Sequence, residues 1–208
     1  YINAYISNVR IVNGTCLYAN GTSFTSSTTP FTAVANTVLL TCQSNRFIDN
    51  SPSNISLTVT GSPQVQKFSP FSSVTVPKYY STYFNGSGDK FTLPTSSGFD
   101  LSSGTFTIEF WFNSFTSMAS GNQCRVLMFG VNGQTNSLNV NFNYLSSTTF
   151  NSALVVPYGS SQGILCTTTF SINTWYHIAY VINSGNGTVY VNGTAAGTQT
   201  GIVMPTSG

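Results

Sequence analysis

Charged side chains are scarce in this sequence. Only 5% of the 208 residues are Asp, Glu, Lys or Arg, against about a quarter in an average soluble protein. The six basic residues are scattered, which leaves no basic patch for nucleic acid or for anionic lipid. No apolar run approaches the length of a membrane span. We therefore expect neither a nucleic-acid partner nor a membrane span.

Carboxylates are too few, and too far apart along the chain, for a typical hydrolase. The acidic residues are Asp49, Asp89, Asp100 and Glu109, with no E-x-D-x-E cluster. Glycoside hydrolysis needs two carboxylates at one site. A Ser-His-Asp arrangement would have to use the single histidine, His177, and the sequence has no G-x-S-x-G elbow. We predict that the protein is not an enzyme.

Cysteine and histidine are also rare, which bears on metal binding and on redox state. Cys16, Cys42, Cys124 and Cys166 show no C-x-x-C spacing, and one histidine completes no zinc site. Two interpretations stay open. The cysteines are buried free thiols in strands, or, in an oxidising compartment, they form disulfides, of which Cys16–Cys42 and Cys124–Cys166 are the first to test.

What the sequence does contain is typical of β-structure. Aromatic residues make up 14% of the chain, and hydrophobic residues 40%, so disorder is not expected. Trp175–Ile182 is rich in aromatic and β-branched residues and is followed by turn signals at Ser184–Gly187 and at Asn192-Gly193. No stretch shows a helical period. Many short strands separated by turns predict an all-β fold of two packed antiparallel sheets.

Phe106–Phe112 alternates most strongly, and it supplies candidate binding residues. Its phenylalanines and Ile108 would face the core, and Thr107, Glu109 and Trp111 the opposite side, where they could bond to and stack on a sugar. Polar loops at Ser117–Gln123, Tyr144–Ser152 and Tyr158–Gln162 could add contacts. The candidate ligand-binding residues are Thr107, Glu109, Trp111, Asn122, Tyr144 and Tyr158.

Several segments together resemble one known family. They are TVLLTCQSNRFIDNSPSN, YFNGSGDKFTLP, FDLSSGTFTIEFWF, WYHIAYVINSGNGTVYVNGTAAG and YISNVRIVNGT. In this combination they resemble the laminin-G-like, concanavalin A-like jelly-roll superfamily, with the closing strand YISNVRI placed first instead of last. The resemblance implies a closing strand at residues 1–12, of this sandwich or of a preceding repeat, a Ser/Thr-rich connector at 13–36, and a sandwich lacking its own last strand at 37–208. The chain would then be a segment of a longer tandem array.

The resemblance also implies a function. Arrays of this kind look like those in structural proteins of aquatic phages and viruses and in bacterial adhesins. We expect a non-catalytic structural and adhesive module of a virion appendage or surface fibre, located on a virion surface or outside the cell. Its partners would be neighbouring repeats or copies of itself, and cell-surface glycans or proteins. A secreted bacterial adhesin or filament module and a calcium-dependent lectin are the alternatives.

Calcium is the one cofactor that the resemblance raises, since related domains often hold this ion at the rim. It would be bound by oxygen ligands, with Asp89 and Asp100 as candidates and Asp49 in a further loop. The opposing interpretation is that these side chains cap turns through their own backbone. Our expectation is no cofactor.

Overall fold

The computed structural model describes residues 2–18, 23–71, 79–115, 123–130, 134, 137–146, 148–155 and 163–204. Within these residues there are fifteen β-strands and one short 3-10 helix, Ser97–Phe99, and no helix long and apolar enough to cross a membrane. The strands are β1 (Asn3–Asn13), β2 (Thr37–Thr41), β3 (Thr58–Thr60), β4 (Gln64–Gln66), β5 (Ser81–Asn85), β6 (Lys90–Thr92), β7 (Thr105–Ser114), β8 (Gln123–Phe129), β9 (Leu138–Tyr144), β10 (Thr149–Val155), β11 (Gly163–Leu165), β12 (Phe170–Ser171), β13 (Tyr176–Asn183), β14 (Asn186–Val191) and β15 (Thr194–Gln199).

The larger sheet is organised around the first strand. Its order is β15-β14-β13-β7-β1-β5-β4, and β2 pairs with β1 on the same edge as β5. All its described pairs are antiparallel. Ile6 lies opposite Phe112, and Ile11 opposite Ile108. The sequence placed the first strand either in this sandwich or in a preceding one; in the structure it is a central strand of the sheet.

A second antiparallel sheet, β11-β10-β9-β8 with β12 beside β10, packs on the larger one. The core lies between them, and the predicted inward set of β7 (Phe106, Ile108, Phe110 and Phe112) is fully buried there. The Phe112 ring stacks on Phe142 of β9 with centroids 4.0 Å apart. These sheets confirm the predicted all-β, two-sheet antiparallel sandwich of the jelly-roll type.

A bulge in β1 decides which side chains leave the core. Between Ser7 and Arg10 the register against β7 shifts, because three steps along β1 match two steps along β7. Asn8, at the shift, has a φ of 54°, a conformation that asparagine tolerates better than most residues. Ile6 and Val9 both pack in the core, and Arg10 lies opposite Glu109. The extra residue thus changes the alternation and turns Arg10 to the outer side of the sheet.

Two irregular segments cover the outer side of the larger sheet. We call residues 14–18 and 23–34 the first strap, and residues 67–71 the second strap. The first strap includes most of the predicted connector, and Phe24 donates its N–H to the carbonyl of Gly193 at 2.7 Å. Gly193 has a φ of 81°, and a Cβ there would collide with the Phe24 carbonyl oxygen. This turn therefore needs glycine for the strap to dock.

Candidate functional site

Glu109, the predicted sugar-binding carboxylate, lies beneath the first strap and is inaccessible. It projects from the outer side of β7 and has no exposed surface. Both of its oxygens are occupied by donors from three other parts of the chain. We call the four side chains Arg10, Tyr18, Glu109 and His177 the carboxylate cluster.

Arg10 supplies the positive charge of the carboxylate cluster. Its Nε lies 2.8 Å and its Nη2 2.6 Å from Glu109 Oε1. Nη1 donates to the carbonyl of Thr32 in the first strap at 2.8 Å, and the guanidinium carbon lies 4.5 Å from the centre of the Phe31 ring. The Arg10 side chain thus connects β1, β7 and the first strap.

Tyr18 and His177 form hydrogen bonds to the other oxygen of the Glu109 carboxylate. The Tyr18 hydroxyl donates to Glu109 Oε2 at 2.8 Å, and His177 Nε2 lies 3.1 Å from the same atom. The Tyr18 ring stacks on Phe24 with centroids 3.6 Å apart, and His177 Nδ1 faces Ser26 Oγ at 3.4 Å. His177 is thus a buried histidine of β13 whose two ring nitrogens both face hydrogen-bonding partners.

The environment shifts the pKa values of Glu109 and Tyr18 in opposite directions. Burial on its own would raise the pKa of Glu109, but the hydrogen bond from His177, the charge of Arg10 and the Tyr18 hydroxyl outweigh it, so this pKa is lowered. Burial, reinforced by the neighbouring carboxylate, raises the pKa of Tyr18. The result is an ionised carboxylate whose acceptor capacity is taken up within the protein, which suits a structural anchor and not an acid or a nucleophile.

Of the other two predicted residues on this side of β7, Thr107 is covered completely and Trp111 only in part. Thr107 is fully buried; its Oγ1 donates to the carbonyl of Thr15 at 3.2 Å and accepts from the N–H of Leu17 at 3.0 Å. Trp111 packs edge-on against Phe71 of the second strap. Thr107 and Glu109 are therefore inaccessible to a sugar, because the first strap covers them, whereas the binding role of the partly exposed Trp111 stays a prediction.

The remaining predicted binding residues are not brought together in the part of the chain that the structure describes. Asn122 and Tyr158 lie outside the described residues, as does the side chain of Tyr144. The segment Tyr144–Ser152, expected to be a loop, is mostly the hairpin of β9 and β10. Ser and Asn in this segment were interpreted as loop residues; Ser146 does lie in the turn, but Asn151 and Ser152 belong to β10 and pair with Asn143 and Phe142 of β9.

The aspartates serve turns, which agrees with the interpretation opposed to calcium. Asp49 accepts from the N–H groups of Leu40, Ser51 and Ile55, at 2.8–2.9 Å. Asp89 accepts from the N–H of Ser62 at 2.7 Å and of Asn85 at 2.9 Å, and Asp100 from that of Ser102 at 3.1 Å. Among the described residues, no three His, Cys, Asp or Glu side chains cluster as metal ligands.

Neither disulfide proposed from the sequence is formed. Cys16, Cys42 and Cys166 are free thiols, and Cys124 is buried on β8. Cys16 Sγ donates to the carbonyl of Ile182 at 3.2 Å, and burial raises the pKa of Cys42 to about 11. A thiol with a raised pKa is little ionised at neutral pH and reacts slowly. Of the two open alternatives, free thiols are what the structure contains at these three positions. Cys42 and Cys166 are buried and Cys16 is partly buried, and none of the three lies within a strand.

An open groove at the far end of the outer side was not predicted. It has a volume of about 310 Å³ and is lined by Tyr5, Phe68, Asn113, Phe115 and Asn173. Asn113 continues the alternation of Thr107, Glu109 and Trp111, so its side of the sheet could have been read from the sequence. Its neighbours could not, because Tyr5 and Phe68 reach it only through strand pairing and the second strap.

Comparison with known proteins agrees with this architecture. No curated protein and no solved structure matches the chain. A family model of the laminin G type, described as the concanavalin A-like lectin/glucanases superfamily, matches residues 85–207, which is more than half of the chain. The match spans β6 to β15 and includes the central strands β7 and β13. This chain belongs to the concanavalin A-like lectin/glucanases superfamily.

Proposed function

We propose that the protein is a non-catalytic adhesive and structural module, one unit of a tandem array in a virion appendage or surface fibre. Exposed parts of each unit would bind glycans or proteins, and the units would pack against one another. The superfamily contains both lectins and glucanases. The choice between a binding and a hydrolytic role therefore depends on this chain's own carboxylates.

The state of Glu109 is the observation that supports a binding role. A glucanase needs one carboxyl group as acid and a second as nucleophile or base, both facing the sugar. Glu109 is the single glutamate, and donors from Arg10, Tyr18 and His177 occupy it beneath the first strap. Asp49 and Asp89 are buried and held by backbone N–H groups. Carboxylates used in this way stabilise a scaffold.

The place of β1 supports the array. This strand resembles the closing strand of the family, yet it precedes the segment that the family model matches. It pairs with β2, β5 and β7 inside one sheet. A unit cut out of phase from a repeated chain would have this order. A low charge content also suits contacts between units that do not depend on salt.

Adhesion and catalysis can be tested with the same preparation. The chain would be applied to whole-cell panels and to a printed array of oligosaccharides, and incubated with β-glucans while reducing ends are measured. We expect retention on cells or glycans and no release of reducing ends. Sugar release that Glu109→Gln abolishes would overturn the proposal. Binding that disappears with a chelator and returns with calcium would favour the calcium-dependent lectin instead.

The array is tested by the residues that follow Gly208 in the complete protein. We expect another strand of the form Y-I-S-N-x-R-I there, closing the next unit. An unrelated continuation would overturn the tandem array and leave the adhesive role untouched.

A further inference from the structure

The groove at the far end of the larger sheet has the composition of a small-molecule site. Its aromatic walls are Tyr5, Phe68 and Phe115, with ring centroids of Tyr5 and Phe68 4.8 Å apart and those of Tyr5 and Phe115 5.3 Å apart. Its volume of about 310 Å³ lies at the lower end of the range for ligand pockets, about 300–1,000 Å³. Two amide side chains, Asn113 and Asn173, supply polar atoms.

Asn113 carries an unmet hydrogen-bond donor. The residue is only 1% exposed, and its Nδ2 has no partner among the residues that the structure describes. The buried Nε1 atoms of Trp111 and Trp175, two residues that do not line the groove, also lack a partner within that part of the chain. Trp175 packs on the Phe68 ring with centroids 5.3 Å apart, and Trp111 lies two residues before Asn113 on the same strand.

Of these three atoms, Asn113 Nδ2 belongs to a residue that lines the groove, and this unmet donor restricts the ligand. A buried donor without an acceptor costs roughly 1–3 kcal/mol, and a ligand that brings acceptor oxygens would recover part of that cost. No charged side chain lines the groove, so nothing there would compensate an ionised ligand for the loss of its hydration. The ligand should therefore be neutral, rich in acceptor oxygens, and flat enough on one side to lie against aromatic rings.

We infer that this groove binds a neutral oligosaccharide. A pyranose ring presents C–H groups on its faces, which pack against aromatic rings, and hydroxyl and ring oxygens at its edge, which accept from N–H groups. The inference rests on the proposed adhesive function and assigns it a ligand class and a surface. That surface differs from the loops that the sequence favoured.

Two variants and a matched control test the groove. Phe68→Ala removes an aromatic wall that is 47% exposed, and Asn113→Ala removes the unmet donor. Leu145→Ala is the control, because Leu145 is 48% exposed and belongs to the turn after β9, in the other sheet. Each would be applied to a printed array of neutral, sialylated and sulfated oligosaccharides. Thermal unfolding would verify that the variants are folded.

The wild-type chain and Leu145→Ala should bind neutral oligosaccharides, whereas Phe68→Ala and Asn113→Ala should bind at least tenfold more weakly. The best array ligand should also perturb the fluorescence of Trp175 and the side-chain amide resonance of Asn113 in the wild type. If Asn113→Ala does not fold, the binding of Phe68→Ala and the Asn113 resonance of the wild type still test whether the groove binds the oligosaccharide.

Three results would overturn the inference while leaving adhesion standing. They are retention of glycan binding in Phe68→Ala and Asn113→Ala, preference for sialylated or sulfated glycans, and adhesion to cells without binding to any glycan on the array. A change of oligomeric state in Phe68→Ala, with unchanged glycan binding, would assign the groove to a second copy of the chain. If the wild-type chain bound neither cells nor any glycan on the array, the proposed function itself would be overturned.

Discussion

The outer side of the larger sheet has two ends that treat polar groups in opposite ways. At one end the carboxylate cluster is closed, since both oxygens of Glu109 have donors and the first strap covers them. At the other end Asn113, Trp111 and Trp175 bury donors that have no acceptor in the described part of the chain. Buried polar groups in native proteins are usually satisfied. The satisfied end is therefore scaffold, and the unsatisfied end is where a ligand is expected.

Among the variants proposed here, Glu109→Gln in the carboxylate cluster should destabilise the protein most. This change removes a buried charge and leaves Arg10 without its counterion, so we expect the free energy of unfolding to fall by about 3–5 kcal/mol. Urea unfolding followed by tryptophan fluorescence would measure it. The control is Asp100→Asn, the same chemical change at an exposed turn, with an expected loss below about 1 kcal/mol. Equal losses in the two variants would contradict the scaffold role of the carboxylate cluster.

Removing one donor from the same carboxylate should have a smaller effect. Tyr18→Phe loses a hydrogen bond to an ionised group, and we expect a loss of about 1.5–3 kcal/mol in the free energy of unfolding. Tyr83→Phe, on the outer side of β5, is the matched control and should change it by less than about 0.5 kcal/mol. Limited proteolysis should also show faster cleavage within the first strap of Tyr18→Phe. An unchanged cleavage rate would mean that Tyr18 does not hold the strap.

Lowering the pH should gradually reduce the stability that the carboxylate cluster contributes. The folded protein lowers the pKa of Glu109, so the stabilisation is present above the unfolded pKa of about 4.3 and is lost as the pH falls through the lower folded pKa. Urea midpoints measured from pH 7 downward should decline below about pH 4.3. The decline should be shallower in Glu109→Gln, and parallel profiles would exclude Glu109 as its source.

The smallest effect on stability is expected at the unsatisfied end. Phe68 is nearly half exposed, so Phe68→Ala should lower the free energy of unfolding by less than about 1 kcal/mol, even though we expect it to weaken glycan binding at least tenfold. Thermal unfolding of this variant beside Leu145→Ala would measure the difference. A large loss would show that Phe68 is a structural clamp for Trp175 and Tyr5, and would reduce the contrast between the two ends.

The sequence was sufficient for the fold because the two-residue periodicity acts locally. The inward residues of β7 were predicted from their alternation, the strand at Trp175–Ile182 from its aromatic and β-branched composition, and the turns at Ser184–Gly187 and Asn192-Gly193 from local chemistry. The outward residues were misjudged, because alternation tells that a side chain leaves the core and not what covers it. The first strap has no periodic signal. Its anchors, Tyr18, Phe24 and Phe31, are isolated aromatic residues in a polar segment.

The carboxylate cluster could not be assembled from the sequence for a related reason. Arg10 reaches Glu109 only because the bulge at Asn8 shifts the alternation of β1, and an unshifted strand would turn Arg10 toward the core. The order of the strands was also needed, since β1 and β7 are distant in sequence. The groove depends on the same pairing, which places Tyr5 opposite Asn113.

The central position of β1 has a consequence for biosynthesis. This strand leaves the ribosome before its neighbours, and Ile6 waits for Phe112, about 100 residues later. At about 5–20 residues per second, the delay is of the order of 5–20 s, during which the edge of β1 that pairs with β7 has no native partner, whereas the other edge can pair earlier with β2. Cotranslational folding of this sandwich must therefore be late. A chaperone, or pairing with nascent chain on either side, would have a clear target in those first thirteen residues.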